Sequence, residues 1–197
     1  MNVRKHLPEG NWRIVSPRIP PMKREDCAPD QQKLLSELRR TQKSEKDMNV
    51  FMYLTRLGPI FVHYFAFFVN MLFLGKIPRA DKELSIMRLA WRTGTVYEWL
   101  HHQKVARESG IPAADMNSVT IEDCPDWSPR LRALLKATDE LVADKAMSDG
   151  TFHELRKHLS EDQMVEFCML IGHYLMVAMT INTIGIQVEP EYLPSEG

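Results

Sequence analysis

The sequence predicts an all-α protein, and three observations carry that reading. No stretch alternates apolar and polar residues over the length of a strand, whereas apolar residues recur at helical spacing through most of the chain. Glycine and proline fall where one helix must end and the next begin: Gly58-Pro59, Gly94, Gly110-Ile111-Pro112, Ser128-Pro129 and Asp149-Gly150. Ser160-Glu161-Asp162-Gln163 has the S-x-x-Q form of a capping box. The expected architecture is a bundle of about seven to eight helices of ordinary length.

The 197 residues suit one domain with a sizeable core. A net charge of -1 gives no reason to expect nucleic acid or an acidic membrane surface as partner. Cys27, Cys124 and Cys168 are far apart and form no CxxC, which argues for reduced thiols and a cytoplasmic setting. Met1 to Asn11 is polar and charged, unlike a secretory signal. Two uncharged runs, 57–75 and 168–188, approach the length of a spanning helix. Their polar members, among them His63, Asn70, His173 and Asn182, fit buried bundle helices or a subunit interface better than lipid, so no membrane role is expected.

In chain order, Pro17, Pro20 and Pro21 keep residues 1 to about 27 irregular, an arm lying on its own or a neighbouring subunit. Asp30 or Pro29 opens a short helix through Leu38, and Lys43 to Asp47 is a charged connector. Two helices follow from Asn49, the second running from Pro59 to about Leu74 with proline at its first position. Asp81 is placed to cap a helix over Lys82 to Arg92. Gly94 turns the chain into a further helix that ends at Gly110. A short helix over 113–119, one beginning at Ser128-Pro129, one over 151–159 and a long last helix from Ser160 to about Ile186 complete the bundle. The tail from Val188 reads as loose.

The helix after Gly94 carries Tyr97-Glu98-Trp99-Leu100-His101-His102. On a helical wheel Glu98, His102, Thr95, Ala106 and Trp99 share one arc of roughly 100°, so the adjacent histidines face opposite ways. His102 points inward, one turn after Glu98 and within its reach, while His101 belongs to the wet face. On the preceding helix Glu83 sits among Leu84, Met87, Ala90 and Trp91, in the middle of an apolar arc, with a solvated first-turn glutamate as the other reading.

The spacing Glu98-x3-His102-x3-Ala106-x3-Gly110, after a helix opening Arg79-x-x-Lys82-Glu83-Leu84, resembles the carboxymuconolactone decarboxylase family, which includes the alkylhydroperoxidase D branch. The resemblance covers about residues 46–189, leaving 1–45 as an N-terminal arm with a short helix and 190–197 as a tail. The peroxidase branch carries a glutamate, a CxxC twelve residues on, and a histidine four residues after the second cysteine. Here Glu83, Thr95, Glu98 and His102 occupy that spacing, so both redox cysteines are replaced and peroxidase activity is not expected. The resemblance implies an alkylhydroperoxidase D-like all-α fold and a homotrimer or homohexamer with sites near subunit contacts.

The residues point to cofactor-free, metal-free acid–base chemistry, and the resemblance implies a lyase or lactone hydrolase acting on a small carbonyl, lactone or carboxylic acid compound. His102 is the expected proton donor or acceptor, Glu98 its partner and Glu83 a second carboxylate in relay. Arg88 is a candidate to hold a substrate carboxylate, or else a salt-bridging arginine. Thr95 and Tyr97 are candidate hydroxyl donors, with a plain helix cap as the other reading of Thr95. Trp99 is a substrate platform or, more in keeping with its type, core. The alternative is a non-catalytic oligomeric small-molecule binding protein on the same fold.

Overall fold

A computed structural model describes residues 3–42 and 44–193. Nine α-helices make up the bundle among them: α1 (Pro29–Gln42), α2 (Asn49–Leu54), α3 (Pro59–Phe73), α4 (Arg79–Thr93), α5 (Val96–Glu108), α6 (Ala113–Ser118), α7 (Pro129–Asp144), α8 (Asp149–Arg156) and α9 (Glu161–Ile184). The described residues contain no strand, only an isolated parallel bridge between Arg13 and Thr95.

The punctuation works as its chemistry demands. Gly58 precedes α3 and Pro59 takes its first position. Gly94 adopts φ 67°, the left-handed conformation that closes α4, and its amide bonds back to Ala90 and Trp91. The Ser128 hydroxyl accepts from Leu131 N–H at the start of α7, and both halves of the Ser160/Gln163 capping box are present at α9. Two starts differ from expectation. Pro78, not Asp81, stands at the cap of α4, and the Asp81 carboxylate accepts from Arg130 at 2.6 Å instead. Helix α8 begins at Asp149 with Ser148 as its cap, because a serine hydroxyl reaches the third amide where Asp149-Gly150 reads as a turn.

Helix α4 is the axis of the bundle, in contact with α5, α7 and α9 and buried without a break from Lys82 to Ala90. Its apolar residues Ile86, Met87, Leu89 and Ala90 are completely enclosed. Three charged residues go into the interior with them, and each is met. Lys82 Nζ donates to Met71 O at 2.7 Å and pairs with Glu166 at 2.9 Å. Arg88 uses all five of its donors, on Asp139, Glu122 and the carbonyls of Val119 and Ile121, and lies against the rings of Trp91 and Trp127. Glu83 belongs to the candidate site.

The arm and the tail are tied to their own chain. Asn11 and Ser16 pass so close to Gly94 and Gly185 that a Cβ there would lie 2.2 and 2.3 Å from a carbonyl oxygen. The amide of Arg13 donates to Gly94 O, and that of Arg18 to Ile184 O, each at 2.8 Å. The tail is not loose as far as Leu193. Glu189 is buried and accepts from Asn49 N–H, Tyr97 O–H and the His101 ring, and residues beyond 193 lie outside the described part. Lys43, in the charged connector, also lies outside it, while Asp47 at the connector's end is held by Arg24 and Arg39. Helix α9 is long and apolar enough to cross a membrane, yet 44% of its most apolar window is buried in this bundle.

Burial alone would raise the Asp139 carboxyl pKa, but the hydrogen bonds and charges of Arg92 and Arg88 hold it below the ordinary 3.8. A depressed folded-state value stabilises the fold above that ordinary value and ceases to do so as pH falls through the depressed one. Arg88→Met strips Asp139 and two carbonyls of a donor inside the bundle. Urea denaturation at pH 7 is expected to show a loss of about 3 kcal/mol, the scale of breaking a buried ion pair from one side.

Candidate active site

The site is assembled where α3, α4, α5 and α9 meet. Helix α5 supplies Glu98 and His102 one turn apart, and α4 supplies Glu83. The three share one interior region, but the bonding differs from expectation. The partner of His102 is Glu83, with Nδ1 and Oε2 separated by 2.6 Å. Glu83 is fully buried, and its other oxygen faces Arg79 Nε at 2.8 Å in a charge contact without hydrogen-bond geometry. Arg79, one turn earlier on α4, is thus the base of an Arg79–Glu83–His102 chain. A carboxylate at Nδ1 places the proton on that nitrogen and leaves Nε2 as the lone-pair side of the ring.

Glu98 is only 1% exposed and neither of its carboxyl oxygens has a hydrogen-bond partner among the described residues. Burial alone pushes its pKa well above the ordinary 4.5, which favours the protonated, uncharged carboxyl. An unpartnered buried carboxyl costs folding free energy of about 1–3 kcal/mol. Local packing gives no return for it, which makes Glu98 a candidate functional group.

Sequence reasoning placed no role on α9 here, yet that helix provides His173 and Tyr174. The Tyr174 ring meets His102 edge-on at 4.9 Å and His173 at 5.1 Å. Tyr64 of α3 stacks on His173 at 5.5 Å. The Tyr174 hydroxyl and both His173 ring nitrogens are buried without a partner among the described residues. Burial, the largest cause, drives the His173 pKa down to about 4, so its ring stays neutral. Helical periodicity marks these residues only as inward-facing, and their meeting with Glu98 needs α9 to cross α4.

The other sequence candidates go elsewhere. Arg88 is fully committed in the α4–α7 network and has no donor left for a substrate. The Thr95 hydroxyl contacts that of Thr93 and accepts from Asn182, fastening the α4–α5 turn to α9. Tyr97 donates to Glu189 at 2.8 Å on the opposite side of α5. Trp99 is core, edge-on to Trp12 at 5.4 Å. His101 is not on a wet face: it is sandwiched between Tyr97 and Tyr192 at 4.1 and 3.7 Å and bound to Glu189, because the tail covers that side of the helix. Three surface clefts of 340–410 Å³ lie away from Glu98, on the α1–α3, α7–α8 and α8–α9 sides. No group of three or more metal-ligating side chains suited to an ion occurs among the described residues.

These features define an all-helical bundle with an enclosed carboxylate–histidine site. Residues 61–140, from α3 into α7, match the model of the carboxymuconolactone decarboxylase family. Over that stretch, less than half of its length, the chain is similar to that family. The fold is shared with a peroxidase-related protein of the alkylhydroperoxidase AhpD core from Ralstonia eutropha JMP134, at TM-score 0.77 and 19% identity over 91% of this chain and 95% of that one. It is shared also with the debrominase Bmp8 in complex with 2,3,4-tribromopyrrole, at TM-score 0.75 and 16% identity over 90% and 95% of the two chains. A peroxidase-related protein from Silicibacter sp. TM1040 aligns at TM-score 0.73 and 14% identity over 91% and 97%. No curated protein matches the sequence.

Replacing Glu98 by leucine removes an unpartnered acid from the interior. A folded-state pKa above the ordinary value means that wild type loses stability as pH rises from about 4.5 towards the raised value. Glu98→Leu is expected to melt higher than wild type at pH 8, by the equivalent of about 1–3 kcal/mol, and to flatten that pH dependence in calorimetry.

Proposed function

We propose that this protein is a cofactor-free acid–base enzyme acting on a small carbonyl, lactone or carboxylic acid compound, by lactone ring opening or decarboxylation. The observation that supports it is the buried, unpartnered Glu98 beside a histidine held by Glu83. The match of residues 61–140 to a family named for a decarboxylase agrees with it. The two groups have opposed tendencies, one keeping its proton and the other offering a lone pair at Nε2, which is what proton transfer in both directions near pH 7 requires.

In lactone opening, Nε2 of His102 takes a proton from water as the water oxygen bonds to the carbonyl carbon. The Glu83 carboxylate stabilises the resulting imidazolium through Nδ1–H. The Glu98 carboxyl hydrogen-bonds the developing oxyanion and then protonates the ring oxygen as the acyl C–O bond breaks, giving a hydroxy acid. In decarboxylation, the electron pair left by carbon dioxide passes into an adjacent carbonyl, and Glu98 returns a proton to carbon. In lactone opening the acid is restored by the proton that His102 carries, and after decarboxylation by a proton taken up from solvent.

We also place this chain in a homo-oligomer, a trimer or hexamer, in a cytoplasmic setting. Support comes from two uncharged exposed stripes on neighbouring helices. One is Ile60, Phe67, Phe73 and Leu74 at α3, and the other Val165, Met169, Met176 and Met179 on α9. The α9 stripe spaces its members by alternating steps through Gly172, a seam pattern suited to a second helix.

The functional test is turnover of lactones and keto acids followed by mass spectrometry. Wild type is expected to convert at least one, with His102→Ala and Glu98→Gln each slowed by about 100-fold or more, the usual share of a general acid or base. Binding without conversion by wild type identifies a binding protein instead. For assembly, sedimentation velocity is expected to show an oligomer for wild type and monomers for Met169→Asp, whose charge would be buried against the partner helix. A monomeric wild type at micromolar concentration would overturn that part.

A further inference from the structure

The residues around Glu98 also indicate what sort of molecule belongs there. The site offers several groups that want a hydrogen-bond partner. Glu98 presents a carboxyl, Tyr174 a hydroxyl, and His173 one N–H and one lone pair, all buried without a partner among the described residues. The cations nearby are spoken for. Arg79 is balanced by Glu83 and lies over the Phe73 ring at 5.3 Å, Lys82 by Glu166, and Arg88 by Asp139 and Glu122. His173 is itself held neutral by its burial. The flanking surfaces are aromatic: Tyr64 stacks on His173, and Phe67 and Phe68 lie 5.4 and 6.0 Å from it.

A carboxylate entering this region would lose its hydration and find no uncommitted positive charge, a penalty far larger than that for a neutral polar group. A carbonyl or ring oxygen would instead accept from Glu98 and Tyr174, and a flat ring would fill the aromatic flank. We propose that the site takes an uncharged ring compound with carbonyl or hydroxyl oxygens, gripped by His173 and Tyr174 of α9 opposite the Glu98–His102 face. This rests on the acid–base reading of Glu98 and His102, and among its reactions it selects ring opening of a neutral lactone over loss of carbon dioxide from an acid. His173 and Tyr174 are ligand-holding residues in this arrangement, and His102 and Glu98 move the protons.

A matched pair of probes tests it: dihydrocoumarin, an uncharged aromatic lactone, and 3-(2-hydroxyphenyl)propanoate, its ring-opened carboxylate. Binding is followed at pH 7 through the imidazole Cε1–H signals of the full chain, with His173 assigned by loss of its peak in His173→Gln. Dihydrocoumarin is expected to shift the His173 signal. Its dissociation constant should rise by about fivefold in both His173→Gln and Tyr174→Phe, the size of one lost hydrogen bond. The carboxylate should bind at least about tenfold more weakly than the lactone, reflecting its unpaired charge. Tyr174→Phe keeps the ring that packs on His102, so it stays informative if His173→Gln folds poorly.

Equal or tighter binding of the carboxylate overturns the proposal. So does binding indifferent to both substitutions, or no His173 shift up to the solubility of the lactone. The two readings fail separately. Dihydrocoumarin bound through His173 but never hydrolysed removes the enzymatic reading and leaves the ligand class standing. Hydrolysis that needs His102 but ignores His173 and Tyr174 does the reverse.

Discussion

The complete burial of α4 from Lys82 to Ala90 is the constraint from which the other features follow. A helix enclosed on every side is expected to be apolar all round, and this one carries a lysine, a glutamate and an arginine. Each charge forces a particular neighbour into place. Lys82 draws Glu166 and thereby the start of α9, and Arg88 draws Asp139 of α7 and the loop at Glu122. Glu83 draws Arg79 and His102. Two of these sets close the fold. The third is the one placed beside unmatched polar groups, and there the packing carries a cost that chemistry explains.

Helix α5 shows how the same physics serves opposite ends on two faces. Towards α4 and α9 it presents Glu98 with no partner and His102 with one. On the opposite face, Tyr97 and His101 are fully partnered by Glu189 and Tyr192 from the tail. The satisfied cluster clamps the helix that the unsatisfied one uses. Holding α5 from behind keeps Glu98 in a dry position, and dryness is what raises its pKa. The arm contributes to the same restraint at Gly94, where α5 begins.

Thr95 and Glu98 stand where the resembled peroxidase pattern has its two cysteines, and a carboxyl supports a different chemistry from a thiol pair. A thiol gives electrons as well as protons, whereas a carboxyl in the same setting trades only protons. Thr95 is absorbed into the link between Asn182 and the α4–α5 turn, so of the two replaced positions Glu98 alone retains an unpartnered group. The ring-lined side contributed by α9 and α3 then sets which molecule meets that acid.

By itself the sequence determined the helices, because periodicity, glycine stops and serine caps act over a few residues. It also brought Glu83, Glu98 and His102 to inward faces, since each lies on an apolar arc of its own helix. What it left to the tertiary structure is which inward groups touch. His102 has Glu98 one turn away on its own helix, but the shorter path runs to Glu83 across the α4–α5 contact. His101 looked solvated until the tail, far off in sequence, closed over it. Arg88 stood at the edge of an apolar arc, and only the approach of α7 showed its donors fully occupied. His173 and Tyr174 join the site because α9 crosses α4 there, and a helical wheel describes one helix without saying what faces it.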